Sequence, residues 1–477
     1  MKKDRIPHIL FCILAVLAFA PMLQEHLHFP PVKPLAGVTE PINKPQLTWK
    51  DYRNGQYQKK LERYLQHHFG YRPAVIRLYN QYLWDFYKKT FVKPGVLSFG
   101  KEGWMYEPWF VEDYYHGGTY SQKMDSLTMA KEFDKEALRL YQLQHILERH
   151  GITLFVCQAP GKDLVYPEYL PEDAHSERGK QLSARDYYEA KFEAMGINHI
   201  NMEQWFLQMK DTVDFLLFPQ KGTHWSNLAA IYAADSIYRY IEAKQGIKMN
   251  RMEIGPHQPG KIRKPDDDLE SLLNLMRPLK KLPQQYADIQ LRAIPGAVKP
   301  KMITIGDSFF WNICAQTPMD SIFSSYPYWY YNSTIHFDKL HHSTEEVDLV
   351  EELLSSDVIM LIYSSSQLYK LSNDFSKKAL IKLCYDDEEI QKTKAQLVED
   401  IKNYPSWLKS VEQRAEEYHF SLEEVLRQEA NQAVSYAPEI FLPALRDSIP
   451  LKESTAVRLH PRRKKQSESL INLSLHP

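Results

Sequence analysis

Cysteine is scarce in this sequence of 477 residues, and no two cysteines lie near each other. The four are Cys12, Cys157, Cys314 and Cys384, and none of them forms a Cys-x-x-Cys pair. We therefore expect no zinc site and no redox dithiol, and the spacing predicts no disulfide framework. One bridge between two of the last three cysteines stays open. We expect neither a metal ion nor a cofactor.

The sequence also lacks an excess of charge of either sign. Lys and Arg number 59 and Asp and Glu number 60, so the net charge is −1 and the chain as a whole has no electrostatic footprint for nucleic acid. Internal repeats are absent from the sequence. The length fits two or three domains, or one large α/β domain with appendages.

One long apolar run stands at the N-terminus. Lys2, Lys3 and Arg5 precede the uninterrupted apolar residues 9–20. This pattern predicts a signal anchor or a signal peptide over residues 1–23, and either one exports the rest of the chain. We favour an uncleaved anchor, because Pro21 would follow the cleavage site. The alternative, a buried core helix, is disfavoured because nothing amphipathic breaks the run.

Composition divides the rest of the chain into five segments. Proline-rich residues 24–46 are expected to form a linker, and residues 47–90 a helical, membrane-proximal segment. Residues 91–380 are expected to form the main domain. Residues 381–440 predict a charged helical extension that packs on that domain or, alternatively, binds a partner as a separate coiled coil. Residues 441–477 predict a disordered tail, whose basic cluster is either solvated or in contact with a partner or lipid.

Amphipathic helix patterns alternate with continuous apolar runs in the main domain. Buried strands are predicted at residues 152–157, 301–306 and 357–363. The alternation predicts the α/β class, with a doubly wound parallel sheet. In such sheets functional residues lie at the carboxyl ends of strands, and both Lys162 and Ser308 follow predicted strands.

Ser308 is the candidate nucleophile. It stands after the strand "KMITIG" and before "FFWNICAQ", which predicts a helix. A strand end exposes the hydroxyl, and the free N–H groups at the start of the helix can hold an oxyanion. The alternative is that Ser308 merely ends the strand as a turn residue.

His224 is the candidate base. It lies in "GTHWSN", just before an amphipathic helix that Ser226 is expected to cap and Gly246 to end. The positive field at the start of that helix predicts a neutral imidazole, which can accept a serine proton. The alternative is a structural histidine held by hydrogen bonds.

Four further residues are candidates for substrate binding. Tyr328 and Trp329 belong to "YPYWYY", a run that can stack on sugar rings or form part of the core. Lys162 can meet an anion or join a structural ion pair. Trp225, next to His224, is the fourth candidate.

Five stretches of the sequence, in this order, together resemble the periplasmic alginate O-acetyltransferase family, whose members carry an SGNH-hydrolase-like domain. They are "FGYRPAVIRLYN" (69–80), "GKEGWMYEP" (100–108), "GITLFVCQAPGKDLVYPEYLP" (151–171), "GTHWSNLAA" (222–230) and "ITIGDSFF" (303–310). The resemblance covers about residues 50–375. It implies an SGNH-hydrolase-like sheet with an N-terminal membrane anchor, and we assign no activity to the C-terminal helical extension.

The resemblance also implies a Ser-His-Asp triad, with Ser308 as nucleophile and His224 as base. The family's usual motif is Asp-x-His-Trp, and in this sequence Gly222 stands at the position of the Asp. Asp214 and Asp307 are the candidate substitutes for that acid. Without an acid the histidine loses control of its tautomer, so activity with a dyad and loss of activity both stay open.

The function that the resemblance implies is transfer of an acetyl group to a cell-envelope or secreted polysaccharide through an acyl-serine. Expected partners are the polysaccharide acceptor and a multi-pass membrane O-acyltransferase as donor. The expected location is periplasmic, with the N-terminal segment tethering the chain to the cytoplasmic membrane. The alternatives are a carbohydrate esterase of the SGNH type and a catalytically silent polysaccharide-binding or assembly component, which Gly222 favours.

Overall fold

The computed structural model describes residues 5–37, 42–90, 92, 95–117, 126–172, 183–385 and 387–436. The predicted tail, 441–477, lies outside the described residues, as do the last residues of the predicted extension.

Twelve strands occur in the part of the chain that the structure describes. In chain order they are β1 (Ser98–Phe99), β2 (Met105–Tyr106), β3 (Thr153–Ala159), β4 (His199–Asn201), β5 (Arg251–Ile254), β6 (Gln258–Gly260), β7 (Gln284–Tyr286), β8 (Ile289–Arg292), β9 (Met302–Gly306), β10 (Tyr328–Tyr330), β11 (Thr334–His336) and β12 (Val358–Ser364).

Eighteen α-helices accompany these strands within the described ranges. They are α1 (Arg5–Leu27), α2 (Trp49–Arg53), α3 (Gln56–His67), α4 (Arg72–Tyr87), α5 (Pro108–His116), α6 (Ser126–Glu148), α7 (Lys162–Val165), α8 (Ala184–Met195), α9 (Met202–Met209), α10 (Asn227–Gln245), α11 (Asp268–Leu272), α12 (Phe309–Gln316), α13 (Met319–Ile322), α14 (Leu349–Leu354), α15 (Phe375–Cys384), α16 (Asp387–Lys402), α17 (Pro405–Tyr418) and α18 (Leu422–Tyr436). Short 3-10 turns lie at Lys101–Gly103, Pro167–Tyr169 and Ser365–Asp374.

The central sheet has six strands in the order β11-β10-β9-β12-β3-β4. Strands β10, β9, β12, β3 and β4 run parallel, and β11 adds an antiparallel edge. The central strands β3, β9 and β12 are buried along their whole length, as their unbroken apolar sequences predict. The predicted α/β class is therefore confirmed, and the antiparallel edge strand is the feature that the apolar runs did not indicate.

A hydrophobic core covers each face of this sheet. One core contains α10 and α12 together with Trp104 and Phe155. The other contains α6, α8 and α15, and it continues without a break into buried residues of α16, α17 and α18. The C-terminal helices thus share the core of the main domain. They pack on that domain and do not form a separate coiled coil.

The N-terminal helix α1 continues to Leu27, beyond the apolar run itself. By length and composition, Pro7–Leu27 is able to cross a bilayer, a property that an N-terminal signal sequence shares. Its last turns contact the start of α4, where the Tyr71 N–H donates to Gln24 Oε1 at 3.0 Å. The helix is therefore joined directly to the segment that precedes the main domain.

Candidate active site

Ser308 lies at the carboxyl end of β9, between that strand and α12. The sheet brings β9 and β12 unusually close at this point, since a Cβ on Gly306 would lie 1.9 Å from the carbonyl oxygen of Ile362. Only glycine fits there, and the chain can then turn sharply into α12. The turn places Ser308 at the edge of the sheet, as sequence position predicted.

Asp307 holds this turn in shape. Its Oδ2 accepts hydrogen bonds from the N–H and the hydroxyl of Ser364, both at 2.7 Å, and its Oδ1 accepts from the Phe309 N–H at 3.1 Å. Burial raises the pKa of Asp307, and the bonds from Ser364 oppose that shift. The carboxylate is therefore committed to joining β9 with β12, and it is not the hydrogen-bond partner of His224.

His224 reaches Ser308 from a loop 84 residues earlier in the chain. Its Nε2 lies 2.8 Å from Ser308 Oγ. The loop is fixed on one side because the Ser226 hydroxyl caps α10 by accepting from the Ala229 N–H at 3.2 Å. The structure thus brings the predicted nucleophile and the predicted base to hydrogen-bonding distance.

Asp268 completes the line of hydrogen bonds. His224 Nδ1 lies 2.6 Å from Asp268 Oδ2. The other carboxylate oxygen, Oδ1, accepts from the backbone N–H groups of Thr223 at 2.8 Å and Leu269 at 2.7 Å. The carboxylate is therefore oriented from two sides, and it fixes the imidazole with Nε2 free to accept the serine proton.

This acid differs from both residues proposed from the sequence. Asp214 pairs with His257 at 2.9 Å, and Asp307 bonds the end of β12. Both assignments are corrected by Asp268. Neither Asp214 nor Asp307 was tied to His224 by any local pattern, and the acid lies 44 residues after the histidine.

Gly222 shows why the acid is not two residues before His224 in this chain. A Cβ at that position would lie 2.6 Å from Pro219 Cγ and 3.0 Å from the backbone oxygen of Asp266. The space that an aspartate side chain would need is filled by the segment that leads into α11. The absence of an aspartate at position 222 and the presence of Asp268 beside His224 are therefore connected through the same packing contact.

Three consecutive aspartates, 266–268, lie at the start of α11, and each has a different role. Asp266 accepts from the Asn227 N–H and from the Tyr286 hydroxyl, while Asp267 pairs with Lys264 at 2.9 Å. The run itself was a signal in the sequence, because acidic residues cluster at helix starts. Which of the three carboxylates faces His224 depends on how the start of α11 packs against the loop that contains His224.

The pKa of His224 is raised, which is the opposite of the expectation from the helix field. Burial lowers this pKa, but the hydrogen bond and the charge of Asp268 together outweigh burial, and Glu107 adds to the upward shift. The site therefore stabilises the imidazolium that forms when the histidine takes a proton. That is the property that a general base needs during catalysis.

Glu107 is a second carboxylate that the sequence did not single out. It accepts a hydrogen bond from the Thr223 hydroxyl at 2.7 Å, one residue before the histidine. Burial raises the pKa of Glu107 to about 7, although His224 and Thr223 act to lower it. Glu107 therefore supports the histidine loop through the Thr223 side chain, while Asp268 bonds the Thr223 backbone.

The four residues proposed to bind substrate are all buried. Trp225, Tyr328 and Trp329 are almost completely covered, and Trp225 packs against Phe309 at a ring distance of 5.3 Å. Stacking on a sugar needs an exposed ring face, which these three do not have here. Two aromatic residues that are partly exposed are Trp311 in α12 and Tyr330 in β10, which pairs with Gly306.

Lys162 is also buried, and it braces the histidine loop. Its Nζ donates to the carbonyl oxygens of Met105 at 2.7 Å, Gln220 at 3.1 Å and Gly222 at 2.7 Å. Burial lowers the pKa of Lys162 well below its usual value. The side chain therefore joins β2 to the segment before His224, in place of the anion contact or ion pair that its position suggested.

One backbone donor for an oxyanion is present at the turn. The Phe309 N–H is occupied by Asp307, whereas the Ser308 N–H forms no hydrogen bond with any residue that the structure describes. A free backbone N–H beside the nucleophile can stabilise the negative oxygen of a tetrahedral intermediate. The arrangement as a whole suits acyl transfer to and from Ser308.

Comparison with protein families gives one match to this region. Residues 97–308 match the family described as "SGNH hydrolase-like domain, acetyltransferase AlgX". The matched range contains Ser308, His224 and Asp268. A search of curated protein sequences finds no match.

Several solved structures are similar to this chain. The O-acetyltransferase domain of Pseudomonas putida AlgJ is 16% identical, with 58% of this chain and 93% of that chain covered and a TM-score of 0.36. AlgX of Pseudomonas aeruginosa is 13% identical, with 59% and 65% covered and a TM-score of 0.34. PatB1 of Bacillus cereus is 13% identical, with 50% and 91% covered and a TM-score of 0.31.

The contact between Asp268 and His224 predicts how the histidine titrates. In the wild-type protein we expect a His224 pKa above 6.5, since Asp268 favours the imidazolium. In Asp268→Asn the negative charge is gone and burial remains, so the pKa should fall below the wild-type value. NMR titration of isotope-labelled histidine measures both values. Asp214→Asn is the control, because Asp214 pairs with His257 and does not contact His224, and it should leave the pKa of His224 unchanged. An unshifted His224 in Asp268→Asn would contradict the assignment.

The buried Lys162 predicts a large effect on stability. Lys162→Met leaves three buried carbonyl oxygens without their donor, so we expect a loss of about 2–4 kcal/mol in the free energy of unfolding. Lys210→Met is the matched control, because each lysine lies over a tyrosine ring, Lys162 over Tyr106 and Lys210 over Tyr166, but Lys210 pairs with Glu168 near the surface. That change should cost less than about 1 kcal/mol. Denaturant unfolding measures both, and equal losses would rule out the bracing role.

Proposed function

We propose that the protein is an exported O-acetyltransferase that acetylates a polysaccharide, starting from the match of residues 97–308 to the SGNH hydrolase-like domain of the AlgX acetyltransferase family. The observation that carries the proposal is the unbroken line of hydrogen bonds from Asp268 through His224 to Ser308. It supplies a nucleophile, a base and an acid that orients the base. A polysaccharide of the cell envelope, or one that is secreted, is the proposed acceptor.

In the first half-reaction, Ser308 Oγ attacks the carbonyl carbon of an acetyl ester while His224 Nε2 takes the hydroxyl proton. The Ser308 N–H stabilises the oxyanion, and Asp268 stabilises the imidazolium. When the intermediate collapses, the bond from carbon to the donor's oxygen breaks. That oxygen takes the proton from His224, which leaves acetyl-Ser308 and a neutral histidine.

In the second half-reaction, a sugar hydroxyl takes the place of the donor alcohol. His224 removes the hydroxyl proton, the sugar oxygen bonds to the acetyl carbon, and the bond to Ser308 Oγ breaks. The proton returns from His224 to Ser308, so the enzyme is restored. Water in the acceptor's place would give an esterase, and exclusion of water from the site separates the two reactions.

The raised pKa of His224 gives this reaction a direction of pH dependence. The base works in its neutral form, so activity falls as the pH drops through that pKa. Because the shift is upward, the acidic limb of the pH profile should lie above the position of an unperturbed histidine.

We place the protein on the periplasmic side of the cytoplasmic membrane, tethered by α1. The support is the apolar stretch Pro7–Leu27, which is long enough to span a bilayer. A multi-pass membrane O-acyltransferase is the proposed donor partner, because an acetyl group must be delivered across the membrane to reach Ser308. The catalytically silent alternative drew its support from Gly222, and Asp268 supplies the carboxylate that Gly222 lacks.

Turnover of a chromogenic acetyl ester tests the proposed chemistry. We expect the wild-type protein to release the chromophore and Ser308→Ala to lose at least roughly a thousandfold in rate, since no other group replaces the nucleophile. Ser324→Ala, which removes an exposed hydroxyl elsewhere, should keep the wild-type rate. Equal turnover in Ser308→Ala and wild type would refute the assignment of the nucleophile.

The same assay with an oligosaccharide acceptor separates transfer from hydrolysis. Mass spectrometry of the sugar should show acetylation that depends on Ser308. Release of acetate alone, with no acetylated sugar for any acceptor class tried, would favour the esterase. Binding of the oligosaccharide without any ester turnover would favour the silent component.

A further inference from the structure

Helix α4 exposes most of its apolar residues, and its two buried residues are polar, unlike those of a typical helix on a protein surface in water. The side that faces the protein contains Asn80 and Gln81, both buried. The outward side carries a stripe of apolar and aromatic residues at helical spacing, with exposed fractions from 46% to 73%. We call this set the α4 stripe, and its members are Val75, Leu78, Tyr79, Tyr82 and Phe86.

Hydrogen bonds to the buried polar residues of α4 hold the helix in this orientation. Asn80 Nδ2 donates to the carbonyl oxygen of Leu273 at 2.9 Å, and Gln81 Oε1 accepts from the Arg277 N–H at 3.0 Å. These bonds attach the inner face to the segment after α11, so the helix is not free to rotate its apolar side inward. Exposing five neighbouring apolar and aromatic side chains to water is unfavourable, and such a patch marks a contact surface.

Helix α1, the proposed membrane anchor, lies directly against the segment at the start of α4. A Cβ on Gly70 would lie 1.8 Å from the backbone oxygen of Pro21, so the end of α1 and the start of α4 touch through their backbones. His68 Nδ1 lies 3.2 Å from Glu25, and Arg77 donates to the carbonyl oxygens of Lys33 and Pro34 at 2.6 Å each. The α4 stripe therefore stands beside the end of the proposed membrane span.

Charge and residue type in the same segment fit a bilayer surface. Residues 49–93 hold ten Lys and Arg against three Asp and Glu, in a chain whose net charge is −1. Exposed aromatic residues such as Trp49 and Tyr52 accompany them. Basic residues favour anionic headgroups, and Trp and Tyr favour the boundary between headgroups and acyl chains.

We propose that α2, α3 and α4 lie on an anionic phospholipid bilayer, with the α4 stripe inserted at the boundary between headgroups and acyl chains. This rests on the proposed role of α1 as a membrane anchor. In this arrangement the α4 stripe is an interfacial helix face that lies next to the α1 span, and lipid covers it.

The consequence for the active site follows from the inner face of α4. Leu273, which Asn80 holds, caps the short helix α11 that begins at Asp268. Helix α4, which we propose lies on the bilayer, and the catalytic acid are thus linked through α11. The active site is held at a fixed height near the membrane, where a membrane-bound donor would present its acyl group.

The test uses the full chain reconstituted in nanodiscs. The discs contain phosphatidylcholine and phosphatidylglycerol, doped with a phosphatidylcholine whose acyl chain carries a photoactivatable diazirine. After illumination, peptide mass spectrometry maps lipid adducts. We expect adducts on α1 and on α4. We expect none on α17, which has exposed aromatic residues at its two ends, Tyr404 and Tyr418, and lies far from α1 in sequence.

A paired substitution makes the test specific. Leu78→Glu with Phe86→Glu should lower α4 adducts by about tenfold, while α1 adducts stay unchanged. The control is Leu340→Glu, which places the same charge at an apolar residue that is 81% exposed on another part of the protein. Replacing phosphatidylglycerol with phosphatidylcholine should also reduce α4 adducts, because the basic residues lose their anionic partners.

Two results would overturn the proposal, and they have different meanings. Adducts on α1 with none on α4 would show that lipid does not cover the stripe, and would point to a protein partner or a second copy of this chain. An absence of adducts on α1 would remove the anchor and the proposal with it. Ester turnover by Ser308 needs no bilayer, so it reports separately on whether the catalytic site is correctly assigned.

Discussion

The hydrogen bond between Ser308 and His224 is the contact on which the site depends, and most of the surrounding structure serves to hold its two ends. Ser308 is fixed by the close approach of β9 to β12 and by the bonds of Asp307 across that pair. His224 is fixed by the cap of α10 on one side and by Lys162 on the other. Because the two residues belong to different segments, only the completed sheet brings them to 2.8 Å.

The position of the acid illustrates how a site can keep its chemistry while its residues move along the chain. The base needs a carboxylate at Nδ1, and what matters is the position of that carboxylate in space. The loop at Gly222 is filled by Pro219 and the backbone of Asp266, so the carboxylate enters from the start of α11 instead. Two backbone N–H groups, those of Thr223 and Leu269, orient Asp268 in that position.

The fold and two of the three residues in the hydrogen-bonded line could be predicted from the sequence, because those features leave local patterns. Long apolar runs indicated the buried strands, a serine at a strand end indicated the nucleophile, and a histidine before a capped helix indicated the base. Asp268 was out of reach, since nothing local distinguishes it from Asp266 and Asp267. Burial of Lys162 and Trp225 was equally hidden, because it results from tertiary packing. The exposure of the α4 stripe became visible only once the inner neighbours of that helix were known.

The most direct measurement of the central claim is the location of the acyl group during turnover. The protein is mixed with a chromogenic acetyl ester, quenched in acid within the first turnover and digested for peptide mass spectrometry. The account predicts an acetyl group on Ser308 in the wild-type protein, with a longer-lived acetyl-Ser308 when Asp268 is replaced by Asn, because deacylation also needs the oriented base. An acetyl group on any other residue, or chromophore release with no acetylated Ser308 at any time, would contradict it.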